Sequence, residues 1–494
     1  MILTCAEMKA LESRAFADGV SAETLMEQAG AQIAHAVRQF VLGSGKCVTV
    51  FGKGHNGGDA LVAARILARA GWEIELRPAF GEGEWAELTA RKHRELLAEL
   101  GGRPTAAEWG RPCVVLDGLL GIGAGGALRE PIRGAARAIN RLRAECNAQI
   151  FAIDIPTGLD GDTGDADPDT VIADFTLTIG CAKAGLLADA ATNFTGRLAV
   201  LPLEELTSRF DAGATMEVAT AASLAGLLPR RRFDFHKGEC GRVGIIAGSP
   251  GFTGAAIMTA EACVHAGAGL VTLCTSPEAH MLIAARIAPE VMVQPVDSYA
   301  EVLDARHDVL AIGPGLGTER RDEILAVIER APQPVIVDAD ALNVLATHIE
   351  LLDACVGPRL LTPHPGEMAR LFSASTALSR RETAERFTAR FPFTLLLKGA
   401  RTIVGQAGLP LSFNATGTPG MASGGMGDVL TGVLAALAAQ GLGLYDAARL
   451  GAWVCGRAAE CAITHGSESE ESLSATHVVA RLGEAFRELR AGVF

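Results

Sequence analysis

Two stretches of this chain set glycine-rich backbone beside side chains able to hold or move a proton. Residues 414–432 read N-A-T-G-T-P-G-M-A-S-G-G-M-G-D-V-L-T-G and lead into an apolar helical pattern. Backbone N–H groups at such a junction can face a phosphate at the positive end of a helix. Asp428 follows directly on Gly427. A carboxylate there can take a proton from a hydroxyl while the helix end stabilises charge on a phosphoryl group. The competing reading is a helix cap, a position where Asp is common. Residues 51–67, F-G-K-G-H-N-G-G-D-A-L-V-A-A-R-I-L, pack four glycines into eight residues before another helical pattern. They match neither the G-x-x-x-x-G-K-S/T nor the G-x-G-x-x-G order. Asn56 and Asp59 are the side chains there that can orient a ligand or coordinate a cation.

Other strand ends carry related chemistry. Asp117 opens D-G-L-L-G-I-G-A-G-G-A-L, and Asp154 and Thr157 lie in A-I-D-I-P-T-G-L-D-G-D-T-G. Ligands of open α/β sheets collect at the carboxyl ends of strands, so these loops can meet across one crevice. In the second half, Lys398 follows the apolar run F-T-L-L-L, where it and the next four residues can wrap nucleotide phosphates or an adenosine edge. T-P-H-P-G-E places His364 and Glu367 at another strand end, and V-D-A-D-A-L-N supplies Asp338, Asp340 and Asn343. Carboxylates gathered near phosphate suit magnesium held largely through water. His364 taken alone also fits a structural histidine.

The elements that must position these groups follow from periodicity. Residues 21–40 put Leu25, Met26, Ala29, Ile33, Val37 and Phe40 on one helical face, with Ser21 as N-cap. Short apolar runs then alternate with helical patterns: C-V-T-V-F-G, E-I-E-L-R-P-A-F, C-V-V-L-D-G, I-F-A-I-D-I-P, D-F-T-L-T-I-G and R-L-A-V-L-P-L. This predicts an α/β domain with a mostly parallel sheet covered on both faces. Residues 202–228 offer no further strand, which places a boundary near residue 213 and gives domains 1–213 and 214–494. A second α/β series starts at G-R-V-G-I-I-A-G and closes with helices over 425–440, 444–464 and 476–489. The expected fold class is therefore α/β, as two tandem three-layer domains.

A length of 494 residues fits several domains at about 150 residues each. The apolar segments fall short of the roughly 18 unbroken residues of a membrane helix, and the first residues are charged where a signal peptide is apolar. The expectation is a soluble, cytoplasmic protein. A net charge of -13 argues against a nucleic-acid surface, and only the R-R-R-F at 230–233, read as a solvated loop, is locally basic. Eleven cysteines without a C-x-x-C pair or a Cys/His run at zinc spacing fit reduced thiols and argue against structural zinc.

G-K-G-H-N-G-G-D-A, the Asp117 loop and the Asp154 loop, in this order, resemble the YjeF N-terminal family, an epimerase domain acting on hydrated nicotinamide dinucleotides. The resemblance implies a Rossmann-like fold, with potassium held by Asn56, Asp117 and Thr157. It implies substrate contacts from His55, Asn56, Gly57, Gly58 and Asp59, from Gly121, Ile122, Gly123, Ala124, Gly125, Gly126 and Ala127, and from Asp154. Oxygen donors of this type suit a hard cation. His55 stands where the family usually has Asn. Asp154 is the candidate acid/base for inversion at the hydrated C6 of the nicotinamide ring, since that step needs a positioned titratable group.

The second half is similar to the ribokinase-like superfamily and, through G-S-P-G-F-T-G, G-P-G-L-G, D-A-D-A-L-N, T-P-H-P-G-E, K-G-A-R-T-I-V and A-S-G-G-M-G-D, to the YjeF C-terminal family of ADP- or ATP-dependent hydrated-NAD(P)H dehydratases. That resemblance assigns Ala255, Gly317, His364 and Asp428 to the hydrate, and Lys398, Gly399, Ala400, Arg401, Thr402 and Gly427 to the adenine nucleotide. Asp428 would deprotonate the C6 hydroxyl for phosphorylation, and loss of phosphate would restore NADH or NADPH. The substrates implied are NADHX and NADPHX, with Mg2+ and ADP, or else ATP. ADP is favoured because bacterial members usually use it and the fusion looks bacterial. A homo-oligomer fits the family. Two competing readings stand: a small-alcohol kinase of the hydroxymethylpyrimidine or hydroxyethylthiazole type with a regulatory N-domain, and a binding scaffold built on the first domain.

Overall fold

The β-branched and aromatic runs pair as strands because each can bury both faces, while the intervening amphipathic segments cover them as helices. A computed structural model describes residues 1–101, 113–209, 213–228 and 230–494. It resolves two compact units, Met1–Ala214 with Phe494, and Thr215–Val493. Residues 210–212, inside the expected boundary segment, lie outside the described residues, as does residue 229.

In the first unit six strands lie in the order Glu73–Pro78, Lys46–Phe51, Cys113–Gly118, Gln149–Ile153, Phe175–Ile179, Arg197–Leu201. Every neighbouring pair is parallel. Alternate residues point to opposite faces. Cys47, Phe51, Val114, Leu116, Phe151 and Ile153 pack with the helices Ala22–Phe40 and His55–Arg69. Val48, Val50, Val115, Ile150 and Ala152 pack with Ile132–Cys146. This gives three layers. The six residues expected on the inner face of the second helix are all buried, and Ser21 Oγ accepts from Thr24 N at 3.0 Å. Completely buried side chains such as Ile33 and Leu61 each contribute about 1.5–3 kcal/mol. A short parallel ladder joins Ile2–Leu3 to Ala182–Lys183.

The second unit carries a ten-stranded sheet in the order Val291–Pro295, Leu270–Thr275, Arg242–Ile246, Val309–Ile312, Val335–Val337, Arg359–Leu361, Thr394–Leu397, Ile403–Gly405, Leu411–Asn414, Met216–Ala219. Only the two pairs made by Ile403–Gly405 are antiparallel. The edge strand Met216–Ala219 corrects the expectation that residues 202–228 hold no strand. Its four residues M-E-V-A favour helix as much as strand. Parallel pairing with Leu411–Asn414 decides the outcome, a tertiary contact overriding weak local preference. The expected closing helices form as Met426–Ala439, Leu444–Thr464 and Ala475–Ala491. A Cβ on Gly432 would lie 2.0 Å from Thr259 O, so glycine allows the helix bearing Asp428 to lie directly on Thr253–His265. Among the described residues no helix is long and apolar enough to cross a membrane.

Candidate active sites

In each sheet the chain reverses its winding beside its first full strand, and the crevice at such a switch point is where α/β proteins place ligands. In the first unit the switch lies between Lys46–Phe51 and Cys113–Gly118. Helix His55–Arg69 starts there from Gly54 with no side chain capping it, so its first N–H groups face the crevice. Gly57 folds this turn back on the strand end, and a Cβ there would stand 2.3 Å from Gly52 O. Gly57→Ala is therefore expected to lower stability by about 1–3 kcal/mol and to weaken ligand binding, read by thermal melts with and without ligand. An unchanged melting temperature would contradict the close approach.

One chain of hydrogen bonds gathers the three proposed potassium ligands. Asn56 Nδ2 donates to Leu120 O at 2.8 Å, and Leu120 N donates to Thr157 Oγ1 at 3.2 Å. Thr157 Oγ1 and N donate to the two oxygens of Asp117 at 2.8 and 2.9 Å. Asp117 is completely buried, and burial pushes its carboxyl up to about 6 against the lowering effect of Thr157 and Leu119. Those donors are neutral.

Asp154 ends its strand at φ 68, one of three non-glycine residues with positive φ among those described, and this conformation costs energy that the fold must supply. Its Oδ1 accepts from buried Lys183 Nζ and from Ile179 N at 3.2 Å, and its Oδ2 from Ile122 N at 3.4 Å. The two-residue ladder holds Lys183 in place, with Nζ also donating to Ile179 O at 2.8 Å. Burial, then the charges of Asp154 and Glu12, push Asp59 well above the carboxylate range. Burial and Asp154 likewise raise Glu12. These groups line a cleft of about 460 Å3 with His55, Asn56 and residues 121–124. A neighbouring cleft of about 610 Å3 shares Phe80, Leu120, Gly121 and Ala124 and runs on past residues 125–127. His55 is exposed on the rim.

In the second unit the switch lies between Arg242–Ile246 and Val309–Ile312. Helix Met426–Ala439 begins from Gly425 at φ 90, again with no side-chain cap, and Asp428 is its third residue rather than its cap. Burial first, then the charges of Asp338 and Asp340, raise Asp428 to about 6, with Lys398 opposing. Lys398 Nζ donates to Asp338 Oδ1 at 2.8 Å and lies 3.8 Å from Glu367 Oε2. Asp338 also accepts from Thr362 Oγ1 and Thr431 Oγ1, both at 2.8 Å. Burial acts to lower Lys398, but Asp338, Glu367 and Asp428 outweigh it and hold its pKa up. A Cβ on Gly427 would stand 3.4 Å from Lys398 Nζ, so these groups adjoin the helix start.

The remaining candidates fall around this centre. Gly317 N donates to Asp340 Oδ2 at 2.9 Å, and a Cβ on Gly315 would touch Ala255 Cβ at 3.0 Å. His364 is half-exposed and serves the fold directly. Its Nδ1 accepts from Gly366 N and Glu367 N at 3.0 and 3.3 Å, capping Pro365–Leu371. That leaves Nε2 carrying the proton, 3.5 Å from Glu367 Oε1. Residues 398–402 turn between antiparallel strands. Arg380 Nη2 donates to Arg401 O at 2.9 Å, Gly399 and Ala400 are exposed, Thr402 is half-buried and the Arg401 side chain is buried. Asn343 accepts from Arg370 Nε at 3.0 Å. Lys183, Glu12, Thr362, Thr431 and Arg380 were not singled out from the sequence. Lys183, Glu12 and Arg380 lie in no glycine-rich run, while Thr362 and Thr431, inside T-P-H-P-G-E and residues 414–432, show no role until the topology sets Asp338 between them.

Two α/β units each present an uncapped helix start and a raised carboxyl at a switch point, the arrangement found in the class of α/β enzymes whose ligands are anionic and nucleotide-like. A family model described as "YjeF-related protein N-terminus" matches residues 22–185, and one described as "NAD(P)H-hydrate dehydratase" matches residues 243–479. The chain is 36% identical to a bifunctional NAD(P)H-hydrate repair enzyme of Moorella thermoacetica, over 93% of this chain and 92% of that protein. It is 37% identical to the Escherichia coli protein of the same description, over 90% and 85%. A crystal structure of the ADP/ATP-dependent NAD(P)H-hydrate dehydratase from Bacillus subtilis, co-crystallised with ATP/Mg2+, is 27% identical with a TM-score of 0.48, covering 56% of this chain and all of that one. The chain belongs to the family of bifunctional NAD(P)H-hydrate repair enzymes.

Proposed function

We propose that the first unit interconverts the R and S forms of hydrated NADH and NADPH at C6, and that the second dehydrates the S form at the expense of ADP, giving NAD(P)H, AMP and phosphate. The observation that carries the reading is the pair of separate sites, each with its own carboxylate beside an open helix start. In the second unit Asp428 takes the proton of the C6 hydroxyl, whose oxygen attacks the terminal phosphoryl group of the nucleotide. The C6–O bond then breaks with phosphate as the leaving group, helped by the ring nitrogen, and loss of a proton from the neighbouring ring carbon to solvent closes the double bond of NAD(P)H. The N–H groups at the start of Met426–Ala439 stabilise charge on the transferred group, and Lys398 balances the carboxylates around it. Ala255, Gly317 and His364 hold the hydrate; residues 398–402 and Gly427 hold the nucleotide. Asp338, Asp340 and Glu367 supply oxygen donors of the kind that hold Mg2+ through water, and the ion would offset phosphate charge.

In the first unit the adjoining clefts accept the two halves of a dinucleotide, with residues 55–59 and 121–127 along its length. C6 bears both the hydroxyl and the ring nitrogen, so taking the hydroxyl proton lets the C6–N bond open to an aldehyde with the proton passed to the nitrogen, and the nitrogen adds back to the opposite face as the proton returns to oxygen. Asp154 handles that proton, oriented by Lys183. The protein acts in the cytoplasm as a homo-oligomer. Incubating it with mixed R and S hydrates, with ADP and ATP in separate reactions, tests the whole reading. Loss of both epimers with ADP is expected. A stable phosphorylated product in place of regenerated NADH would instead indicate a small-alcohol kinase.

Potassium is the ion we assign to Asn56, Asp117 and Thr157, whose donors are all oxygens. Asp117 is a buried carboxylate met only by neutral donors in its hydrogen bonds, and a monovalent cation would supply the missing countercharge. A carboxyl raised from 3.8 to about 6 on folding loses stability as pH rises through that window, a cost of about 3 kcal/mol above it. Melting temperature at pH above 7 should therefore be higher in KCl than in LiCl at equal ionic strength. The difference should vanish in Asp117→Asn; equal melts in both salts for the wild-type protein would refute the assignment.

A further inference from the structure

The last two helices of the second unit, Leu444–Thr464 and Ala475–Ala491, pack together and against the helix that bears Asp428. Cys461 lies in the last turn of the first and His465, four residues on, is its C-cap, while Glu484 and Glu488 lie one turn apart on the second. One ligand atom from each of the four lies within 4.8 Å of all the others. His465 Nδ1 is 2.8 Å from Glu484 Oε1 and 3.7 Å from Glu488 Oε1, and Cys461 Sγ is 3.3 Å from Glu488 Oε2. Metal–nitrogen and metal–oxygen bonds near 2.0 Å and a metal–sulfur bond near 2.3 Å place tetrahedral ligands roughly 3.3–3.6 Å apart, inside the 4.8 Å that encloses the four ligand atoms.

The surroundings match those of a metal centre. Arg481 Nη1 donates to Glu484 Oε2 at 2.8 Å, and buried Arg457 Nε donates to Glu488 Oε2. Each arginine holds an Oε2 atom, the Oε1 atoms of both glutamates turn toward His465, and Glu488 Oε2 also lies against Cys461 Sγ; outer partners of this kind orient metal-binding carboxylates. Arg457 Nη1 also donates to Glu460 Oε2 at 2.7 Å, and Glu460 Oε1 accepts from Gly417 N at 2.8 Å. The cluster is thus tied to the glycine-rich run that leads to Asp428. We propose that Cys461, His465, Glu484 and Glu488 form a binding site for a divalent transition-metal ion, zinc fitting best, that staples these two helices together. One sulfur and one imidazole donor set the site apart from magnesium or calcium sites. Linear spacing gave no sign of it, because the ligands come from two helices and no C-x-x-C occurs. Coordination releases the Cys461 thiol proton and replaces the His465–Glu484 hydrogen bond.

The test is titration of the full-length, chelator-stripped protein with Co2+ and then Zn2+. One cobalt per chain is expected, with a thiolate-to-cobalt charge-transfer band and the visible absorption of four-coordinate cobalt, both abolished by zinc. Cys461→Ser should remove the charge-transfer band. Arg481→Ala, at a partly exposed position outside the ligand set, should weaken binding by about 10- to 100-fold while circular dichroism stays native. Zinc should raise the melting temperature of the wild-type protein and not that of His465→Gln. Cobalt bound without a thiolate band, as at an all-oxygen site, or a Zn2+ affinity unchanged in folded Arg481→Ala, would overturn the proposal.

Discussion

Asp428→Asn should lose hydrate dehydration by about 10^2- to 10^4-fold, the usual worth of a positioned general base, while R and S hydrates still interconvert. The loss should fall on kcat, with KM for the nucleotide little changed, because the amide keeps the shape of the helix start. The wild-type carboxyl, raised to about 6 by burial and by Asp338 and Asp340, predicts the pH profile. A base must be ionised, so kcat/KM should climb through a single step near pH 6 and level off above it. The sign for stability is opposite. A carboxyl whose pKa is higher folded than unfolded destabilises the fold as pH rises through that window. Asp428→Asn should therefore melt at a higher temperature than wild type at pH above 7. A protein more stable and inactive excludes unfolding as the cause; a variant that still consumed ADP in step with NADH formation would refute the assignment.

The glycine-rich runs were legible because their chemistry is local. A helix start needs its N–H groups near the ligand, so the glycines and the carboxylate must be neighbours in sequence, as at residues 54–59 and 425–428. The strands on either side were equally plain, since buried parallel strands are continuous apolar runs. What stayed hidden is set by topology. Lys183 belongs to a two-residue ladder with no periodicity to detect, yet it makes the ion pair that orients Asp154. Thr362 and Thr431 look like ordinary strand-end and helix residues until Asp338 is found between them. Within V-D-A-D-A-L-N the sequence offers three equivalent polar groups. Left-handed Ala339, at φ 51, separates a buried Asp338 under Lys398 from Asp340, which receives Gly317. His364 shows the converse, because the capping and the ligand readings use different ring nitrogens and both can hold.

Asp154→Asn should abolish epimerisation, and the second unit supplies the assay. With ADP and an equal mixture of epimers the wild-type protein should consume both, whereas the variant should stop once the S form is exhausted. The single substitution also leaves Lys183 buried without its countercharge, and breaking a buried pair from one side costs about 3–5 kcal/mol. Loss of activity alone would not separate a catalytic carboxylate from a structural one. Lys183→Met in the same chain removes the stranded charge with a side chain of similar length. The double variant should recover most of the lost stability and none of the epimerisation. If Asp154 served only to neutralise Lys183, the double variant would regain R-hydrate consumption together with its melting temperature. If Asp154 moves the proton at C6, Lys183→Met on its own should retain a reduced rate, because Ile179 N and Ile122 N still hold the carboxylate in the cleft. The four proteins then form a cycle in which the stability terms cancel and the rate terms do not.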